Sequence, residues 1–157
     1  MTNLTILNNH EKQEILNKLQ KQFGISELPG ILLKIGQERI FLFQGSLNEK
    51  QIKELEYNRT NIERVGIYFG KQQGNEIRLS IDGVHLLKDQ ISKNTFELNK
   101  EQVNTWMHGS ELNLKPGKKG FVIMTNKEDF LGTGKASEEK ITNFIPKSRR
   151  LKFKDHQ

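Results

Sequence analysis

The second half of the chain contains the stretch WMHGSELNLKPGKKGFVIMT, residues 106–125, whose pattern is the most informative in the sequence. Val103, Trp106 and Met107 stand at helical spacing, and Gly109 just after them is a typical helix stop. A turn rich in glycine and lysine then leads into the apolar run GFVIMTN, which is typical of a buried strand. The stretch therefore predicts a helix that ends at Gly109, followed by a basic turn and a strand.

Short strands and turns are predicted on both sides of this stretch. Thr95 to Leu98 reads as a strand, and Asn99 with Gln102 three residues later is a capping box that opens the helix. Further strands are predicted for SELNL, DFLGTGKAS and RRLKF, at 110–114, 129–137 and 149–153. One helix with many short strands predicts a small barrel-like domain.

The first half of the chain predicts a separate domain of helices and strands. Asn9 is the expected cap of a helix over 10–23, Ser46 with Glu49 is a capping box for a helix over 47–57, and Asp82 caps a short helix through Leu87. Strands are predicted at 31–35, 38–44, 64–71 and 75–81. We therefore expect the α+β class, with a domain over 1–93 built on a four-stranded sheet and a second domain over 94–157.

Positive charge is concentrated in the second domain. The 157 residues carry a net charge of +6, with a pI near 9.5. From Asn113 to Lys154, eleven Lys and Arg stand against four acidic residues, a net of +7, so the preceding 112 residues are close to neutral. Such a bias favours a polyanionic partner, nucleic acid first and an anionic membrane second.

The basic tail, residues 147–154, alternates charged and apolar side chains. On a strand, side chains at i and i+2 point the same way, about 6.6 Å apart. The alternation predicts a last strand that buries Leu151 and Phe153 and turns Arg150, Lys152 and Lys154 outward. A solvated edge strand protected by lysines has the same pattern.

Several classes of protein are excluded or disfavoured by composition. The chain has no Cys, so disulfides, thiolate metal sites and Cys nucleophiles are excluded. The start MTNLTILNNHEKQ lacks the features of a signal peptide, and no run approaches the length of a membrane span. These features predict a cytoplasmic protein with no membrane partner.

The sequence contains no recognisable catalytic or metal site. The tetrapeptide Gly-Thr-Gly-Lys at 132–135 resembles part of a phosphate loop, but Asp129 stands where the first Gly of that motif belongs and Ala136 replaces the Ser or Thr. The four His are scattered, and no His–carboxylate pair has a third ligand nearby. We therefore expect no catalytic residues, no metal and no cofactor.

The order of segments from Trp106 onward resembles a PUA domain, a small pseudobarrel found in RNA-modifying enzymes and ribosome-assembly factors. The helix ending in Gly, the basic turn, the strand GFVIMT, the strand DFLGTGK and the closing NFIPKSRRLKF carry this resemblance over about 95–154. YFGK, IRLSIDGVHLL and IPKSRR further resemble a two-domain group in which an α/β domain precedes the PUA domain. That group includes relatives of the RNA-binding module of Sun/Fmu-type rRNA cytosine methyltransferases and the Nip-type assembly factors.

The resemblance implies where RNA would bind. PUA domains use the glycine loop after the helix and an adjacent basic strand, which here are Gly109-Ser110 and the basic tail. Small residues at this loop would leave main-chain N–H groups free to meet phosphate, and Arg149 or Arg150 would grip phosphate through two hydrogen bonds. The expected RNA-binding residues are Gly109, Ser110, Lys118, Lys119, Lys147, Arg149, Arg150, Lys152 and Lys154.

Alternatives remain open for several of these residues. Lys115, Lys118 and Lys119 are either RNA contacts or solvated turn lysines. Trp106, with Phe130, Phe144 and Phe153, is expected in the core rather than stacked on a base. In the first domain, Arg59, Arg64 and Lys71 either extend the RNA surface or are scattered surface charges.

The predicted function is non-catalytic binding of structured rRNA or tRNA, in rRNA processing, tRNA modification or ribosome biogenesis. An RNA-modifying enzyme or an assembly factor is a further expected partner. The alternative is a protein-interaction adaptor in ribosome assembly, whose basic tail meets an acidic partner.

Overall fold

The computed structural model describes residues 4–44, 50 and 66–152, and the chain divides into two units, Met1–Ile91 and Ser92–Gln157. Both units combine helices with a sheet, which confirms the predicted α+β class. The predicted helix over 47–57 lies almost entirely outside the described residues.

The first unit is built on a five-stranded antiparallel sheet. The strands, in the order in which they pair, are β1 Leu4–Ile6, β2 Ile31–Ile35, β3 Arg39–Phe43, β4 Ile67–Gln73 and β5 Glu76–Leu79. The prediction of four strands was wrong by one, because β1 has only three residues and shows no readable alternation. It pairs with the first predicted strand through Leu4↔Ile35 and Ile6↔Leu33.

Helix α1, Asn9–Phe23, buries Ile15, Leu19 and Phe23 and ends at Gly24, as predicted. Its cap is Asn8, one residue before the predicted Asn9. The Asn8 side chain accepts a hydrogen bond from the Glu11 N–H at 2.8 Å, and the Glu11 carboxylate accepts one from the Asn8 N–H at 3.1 Å. A capping box requires this spacing of three, which Asn8 and Glu11 satisfy.

Helix α2, Ile81–Leu87, begins at Ser80 rather than at the predicted Asp82. The Ser80 hydroxyl accepts from the Gly83 N–H at 2.9 Å and donates to the Tyr68 carbonyl, so one side chain both caps the helix and ties it to β4. A short 3₁₀ turn, Lys88–Gln90, follows the helix.

The second unit contains a four-stranded sheet. Its strands, in the order in which they pair, are β6 Thr95–Glu97, β7 Gly120–Asn126, β8 Asp129–Ala136 and β9 Ile141–Asn143. Strand β6 runs parallel to β7, and the other pairs are antiparallel. Helix α3, Lys100–Met107, follows β6 and starts at the predicted Asn99–Gln102 capping box.

Two predicted strands of this unit are wrong. SELNL forms only a single bridge, Leu112↔Ile141, and RRLKF forms no strand in its described part, up to Lys152. The edge strand is instead β9, Ile141–Asn143, for which no strand was predicted.

Trp106 forms the centre of the second core, as predicted, and it is fully buried. Its indole N–H donates to the Leu131 carbonyl at 2.8 Å, so the polar atom of the side chain is satisfied. The remaining buried members of this core are Leu98, Leu112, Val122, Met124, Ala136, Ile141 and Ile145. Phe130 and Phe144 are only half-buried, and Phe153 lies outside the described residues.

Gly134 on β8 leaves space for the Trp106 ring. A Cβ atom at residue 134 would lie 2.7 Å from Trp106 Cη2 and 2.6 Å from Ile141 Cγ2. Real Cβ atoms do not approach other atoms this closely, so the strand needs glycine here for close packing rather than for an unusual backbone angle.

We predict that Gly134→Ala lowers the free energy of unfolding by about 1–3 kcal/mol, the usual effect of overpacking a core. Phe lacks the outer atoms of the indole ring, so the effect of Gly134→Ala should shrink in a Trp106→Phe background. Urea unfolding of the four proteins, followed by circular dichroism, measures this coupling. If Gly134→Ala lowers the free energy of unfolding equally in the wild type and in Trp106→Phe, close packing of Gly134 against the indole ring is contradicted.

Candidate nucleic-acid interface

The loop after α3 is held by hydrogen bonds from its own backbone. Gly109 has a φ of 94°, a left-handed conformation that glycine adopts readily. Its N–H donates to the Trp106 carbonyl at 2.9 Å, and the Ser110 N–H donates to the Thr105 carbonyl at 3.3 Å. The two N–H groups therefore satisfy the last carbonyls of the helix. The prediction that they are free for phosphate was wrong.

Gly109 is small because an arginine side chain lies over it. A Cβ atom at residue 109 would be 2.5 Å from Arg150 Nε and 2.8 Å from Arg150 Cζ. Arg150 is half-buried, and its Nε–H donates to the Ile145 carbonyl at 2.8 Å. The close approach expected of an RNA backbone at this loop is thus made by the protein's own guanidinium.

Asn143 joins this loop to the sheet. Its Nδ2 donates to the Trp106 carbonyl at 2.8 Å and to the Ser110 carbonyl at 3.0 Å, while its Oδ1 accepts from the Ile145 N–H at 2.7 Å. Sequence reasoning missed this residue. The local sequence indicates only that Asn143 can form an Asx turn with the N–H group two residues later. It does not indicate that the same side chain also reaches the end of α3.

The basic tail crosses the end of α3 instead of extending the sheet. Lys147–Arg149 form a 3₁₀ turn after Pro146, and the Leu151 N–H then donates to the Met107 carbonyl at 2.8 Å. The predicted burial of Leu151 was wrong, since 54% of this residue is exposed. Side chains alternate between two faces only on a strand, and the first part of this segment is a 3₁₀ turn.

The structure brings the two predicted RNA-contacting segments together. Gly109 lies against Arg150, the Leu151 N–H donates to the Met107 carbonyl, and Lys147, Arg149 and Lys152 are exposed. Lys154 lies outside the described residues. We call the described part of this surface, Gly109, Ser110, Lys147, Arg149, Arg150 and Lys152, the helix-end basic surface.

The lysine turn is a second basic feature of this unit. Lys115, Gly117, Lys118 and Lys119, with Ser137 and Glu138, line an open depression of about 300 Å³. Lys118 Nζ donates to the Thr95 carbonyl at 2.8 Å, so this lysine fixes the turn to β6. Lys115 and Lys119 are exposed. Glu138 adds a negative charge to the rim, and the choice between RNA contacts and solvated lysines stays open.

Two further findings apply to the described residues. No group of three or more His, Asp or Glu side chains in 4–44, 50 and 66–152 is arranged to hold a metal ion. None of the helices in the same ranges is long and apolar enough to cross a membrane.

Comparison with known proteins bears on both units. Residues 93–151 match the family described as the methyltransferase RsmF PUA domain. A ribosomal RNA small subunit methyltransferase F from Psychromonas ingrahamii is 26% identical over 139 residues, which cover 87% of this chain and 28% of that protein. The match is too long for the second unit alone, so it includes part of the first. Residues 93–151 are thus similar to a PUA domain of the RsmF type, and the chain as a whole resembles the PUA-bearing module of Sun/Fmu-type rRNA methyltransferases.

Proposed function

We propose that this chain binds structured RNA, rRNA or tRNA, through the helix-end basic surface, and that it serves RNA modification or ribosome biogenesis in the cytoplasm. Its 157 residues supply binding and no catalytic group; an RNA-modifying enzyme or an assembly factor is the proposed partner. The domains predicted over 1–93 and 94–157 would both belong to this binding module. The family match and the rRNA methyltransferase relative support an RNA ligand.

One observation carries the proposal: the exposed charges of the tail are attached to an immobilised backbone. Pro146 and the 3₁₀ turn fix Lys147 and Arg149, and the hydrogen bond from Leu151 to Met107 fixes the residue before Lys152. Because this backbone is already ordered, less conformational freedom is lost when its side chains bind phosphate than when a free chain does so. No acidic residue occurs between Lys140 and Lys154, so the tail presents one sign of charge.

Arg150 has a different role within the same surface. Its Nε–H is committed to Ile145, and the side chain packs on Gly109, so the guanidinium has one orientation. Its Nη groups donate no hydrogen bond to the described part of the chain. A guanidinium whose Nε–H is already bonded can still donate two hydrogen bonds to a phosphate from its Nη groups.

The first test is the salt dependence of RNA binding by Lys147→Ala/Arg149→Ala/Lys152→Ala. Each phosphate that is neutralised adds about 0.7 to 0.9 to the slope of log affinity against log salt, so the slope should shrink by about two to three. Fluorescence anisotropy with folded tRNA and rRNA fragments measures it. The matched control is Lys21→Ala/Lys88→Ala/Lys100→Ala, which removes three exposed charges elsewhere and should leave the slope unchanged.

The result also separates the proposal from the adaptor alternative. An unchanged slope in the tail variant, with RNA still bound, would move the contact away from the helix-end basic surface. Absence of RNA binding by the wild type, or equal binding of RNA and heparin, would favour an acidic protein partner instead.

The second test is Arg150→Lys. This change keeps the charge, so the salt slope should stay the same, but it removes the planar fork and the Nε–H that donates to Ile145. We expect RNA affinity to fall about five- to tenfold, as one charge-assisted hydrogen bond is lost. Thermal unfolding should accompany the binding titration. A variant that binds as tightly as the wild type would assign Arg150 a purely structural role.

A further inference from the structure

Three basic residues stand in one row across the sheet of the first unit. Arg39 on β3 is directly opposite Lys71 on β4, and Lys71 is directly opposite Arg78 on β5. Directly opposed residues lie on the same face, with Cβ atoms about 4.5–5.5 Å apart, and like charges in this arrangement destabilise a sheet. The register therefore places three basic residues side by side on one face of the sheet.

A β-bulge places aromatic rings beside this row. Ile40 pairs with Gly70 and Phe41 pairs with Tyr68, so Phe69 is an extra residue in β4. Without the extra residue, Tyr68 and Lys71 would point to opposite faces of the sheet. The bulge brings them to the same face, and bulges often re-aim side chains in this way at binding sites.

The Arg39 guanidinium lies over the two rings of this face. Its Cζ atom lies 5.2 Å from the centre of the Phe41 ring and 5.7 Å from the centre of the Tyr68 ring. The rings are 5.5 Å apart and inclined at 48°. Both contacts are within the range of cation–π attraction, so the guanidinium is held from one side.

The other side of Arg39 is available to a ligand. Arg39 is exposed, and it forms no ion pair with any carboxylate in the described parts of the chain. The adjacent Glu38 pairs with Lys71 at 3.4 Å. An exposed guanidinium that is fixed on aromatic rings offers a flat, charged surface of the size of a nucleobase.

We propose that this row is a second RNA-binding site, which takes an unstacked base of a single-stranded segment. The base stacks on the Arg39 guanidinium, which Phe41 and Tyr68 support from beneath, and Lys71 and Arg78 meet the neighbouring phosphates. Stacking on a guanidinium plane accepts any base, so the site recognises single-stranded character rather than sequence. The inference rests on the proposed function in that it takes RNA as the ligand.

The test compares Arg39→Ala and Arg39→Lys with the wild type. The probes are a short single-stranded RNA of mixed sequence and an abasic oligomer of the same length and charge. Lys21→Ala is the matched control, since it removes one exposed charge from α1. Circular dichroism melting of each protein separates a binding effect from unfolding.

We expect the wild type to prefer the RNA over the abasic oligomer. Arg39→Ala should weaken RNA binding by about tenfold, within the range given by the stacking of one base. Arg39→Lys should bind RNA almost as weakly as Arg39→Ala, because a lysine keeps the positive charge but lacks the planar guanidinium. Lys21→Ala should bind as the wild type does.

Other outcomes would overturn the inference in distinguishable ways. If Arg39→Lys binds RNA as tightly as the wild type, or if the wild type binds both probes equally, the site contacts phosphate only and stacking is refuted. Unchanged binding in Arg39→Ala, together with loss in the tail variant, would refute this site and leave the helix-end basic surface intact. No RNA binding by the wild type would remove both proposals together.

Discussion

The last turn of α3 is the constraint on which the second unit depends. A helix end leaves carbonyl groups without intrahelical partners, and a buried carbonyl must be hydrogen-bonded. Here the carbonyls of Thr105, Trp106 and Met107 accept from three separate segments: the Gly109-Ser110 loop, Asn143 of β9 and Leu151 of the tail. Trp106 is also the centre of the core. The same helix end therefore fixes the loop, the edge strand and the position of the positive charges.

In the first unit, the corresponding constraints are the protection of the edge strand β5 and the bulge in β4. The Gln22 side chain of α1 donates to the Ile77 carbonyl at 3.0 Å and accepts from its N–H at 2.8 Å, so the edge strand β5 is paired by a side chain in place of another strand. With β5 held in register, Arg78 stays opposite Lys71, and the extra residue Phe69 sets the face on which Tyr68 lies. The basic row follows from these two local features.

Local chemistry could be predicted from the sequence, and long-range contacts could not. The Asn99–Gln102 capping box, the stop at Gly24 and the strands β2 and β7 depend on neighbours a few residues away. The tail was misjudged because its conformation depends on Met107 and Gly109, about forty residues earlier in the chain. Gly109 was correctly placed at the helix end, where its φ of 94° favours glycine. The close approach of the Arg150 side chain is a second reason for glycine, which the sequence does not reveal. The stacking of Arg39 depends on a bulge in another strand, for which no sequence pattern exists.

The two proposed sites differ in the chemistry they offer to RNA. The helix-end basic surface presents separate charges on a fixed backbone, and binding that rests on phosphate neutralisation weakens steeply as salt rises. At Arg39 the positive charge belongs to a planar guanidinium that two aromatic rings support. Part of its proposed attraction to a base comes from stacking, which salt screens far less than it screens charge. The two proposed sites therefore differ in what is held in place: a hydrogen-bonded turn fixes the backbone of the tail in the second unit, and an aromatic pair supports the Arg39 side chain in the first.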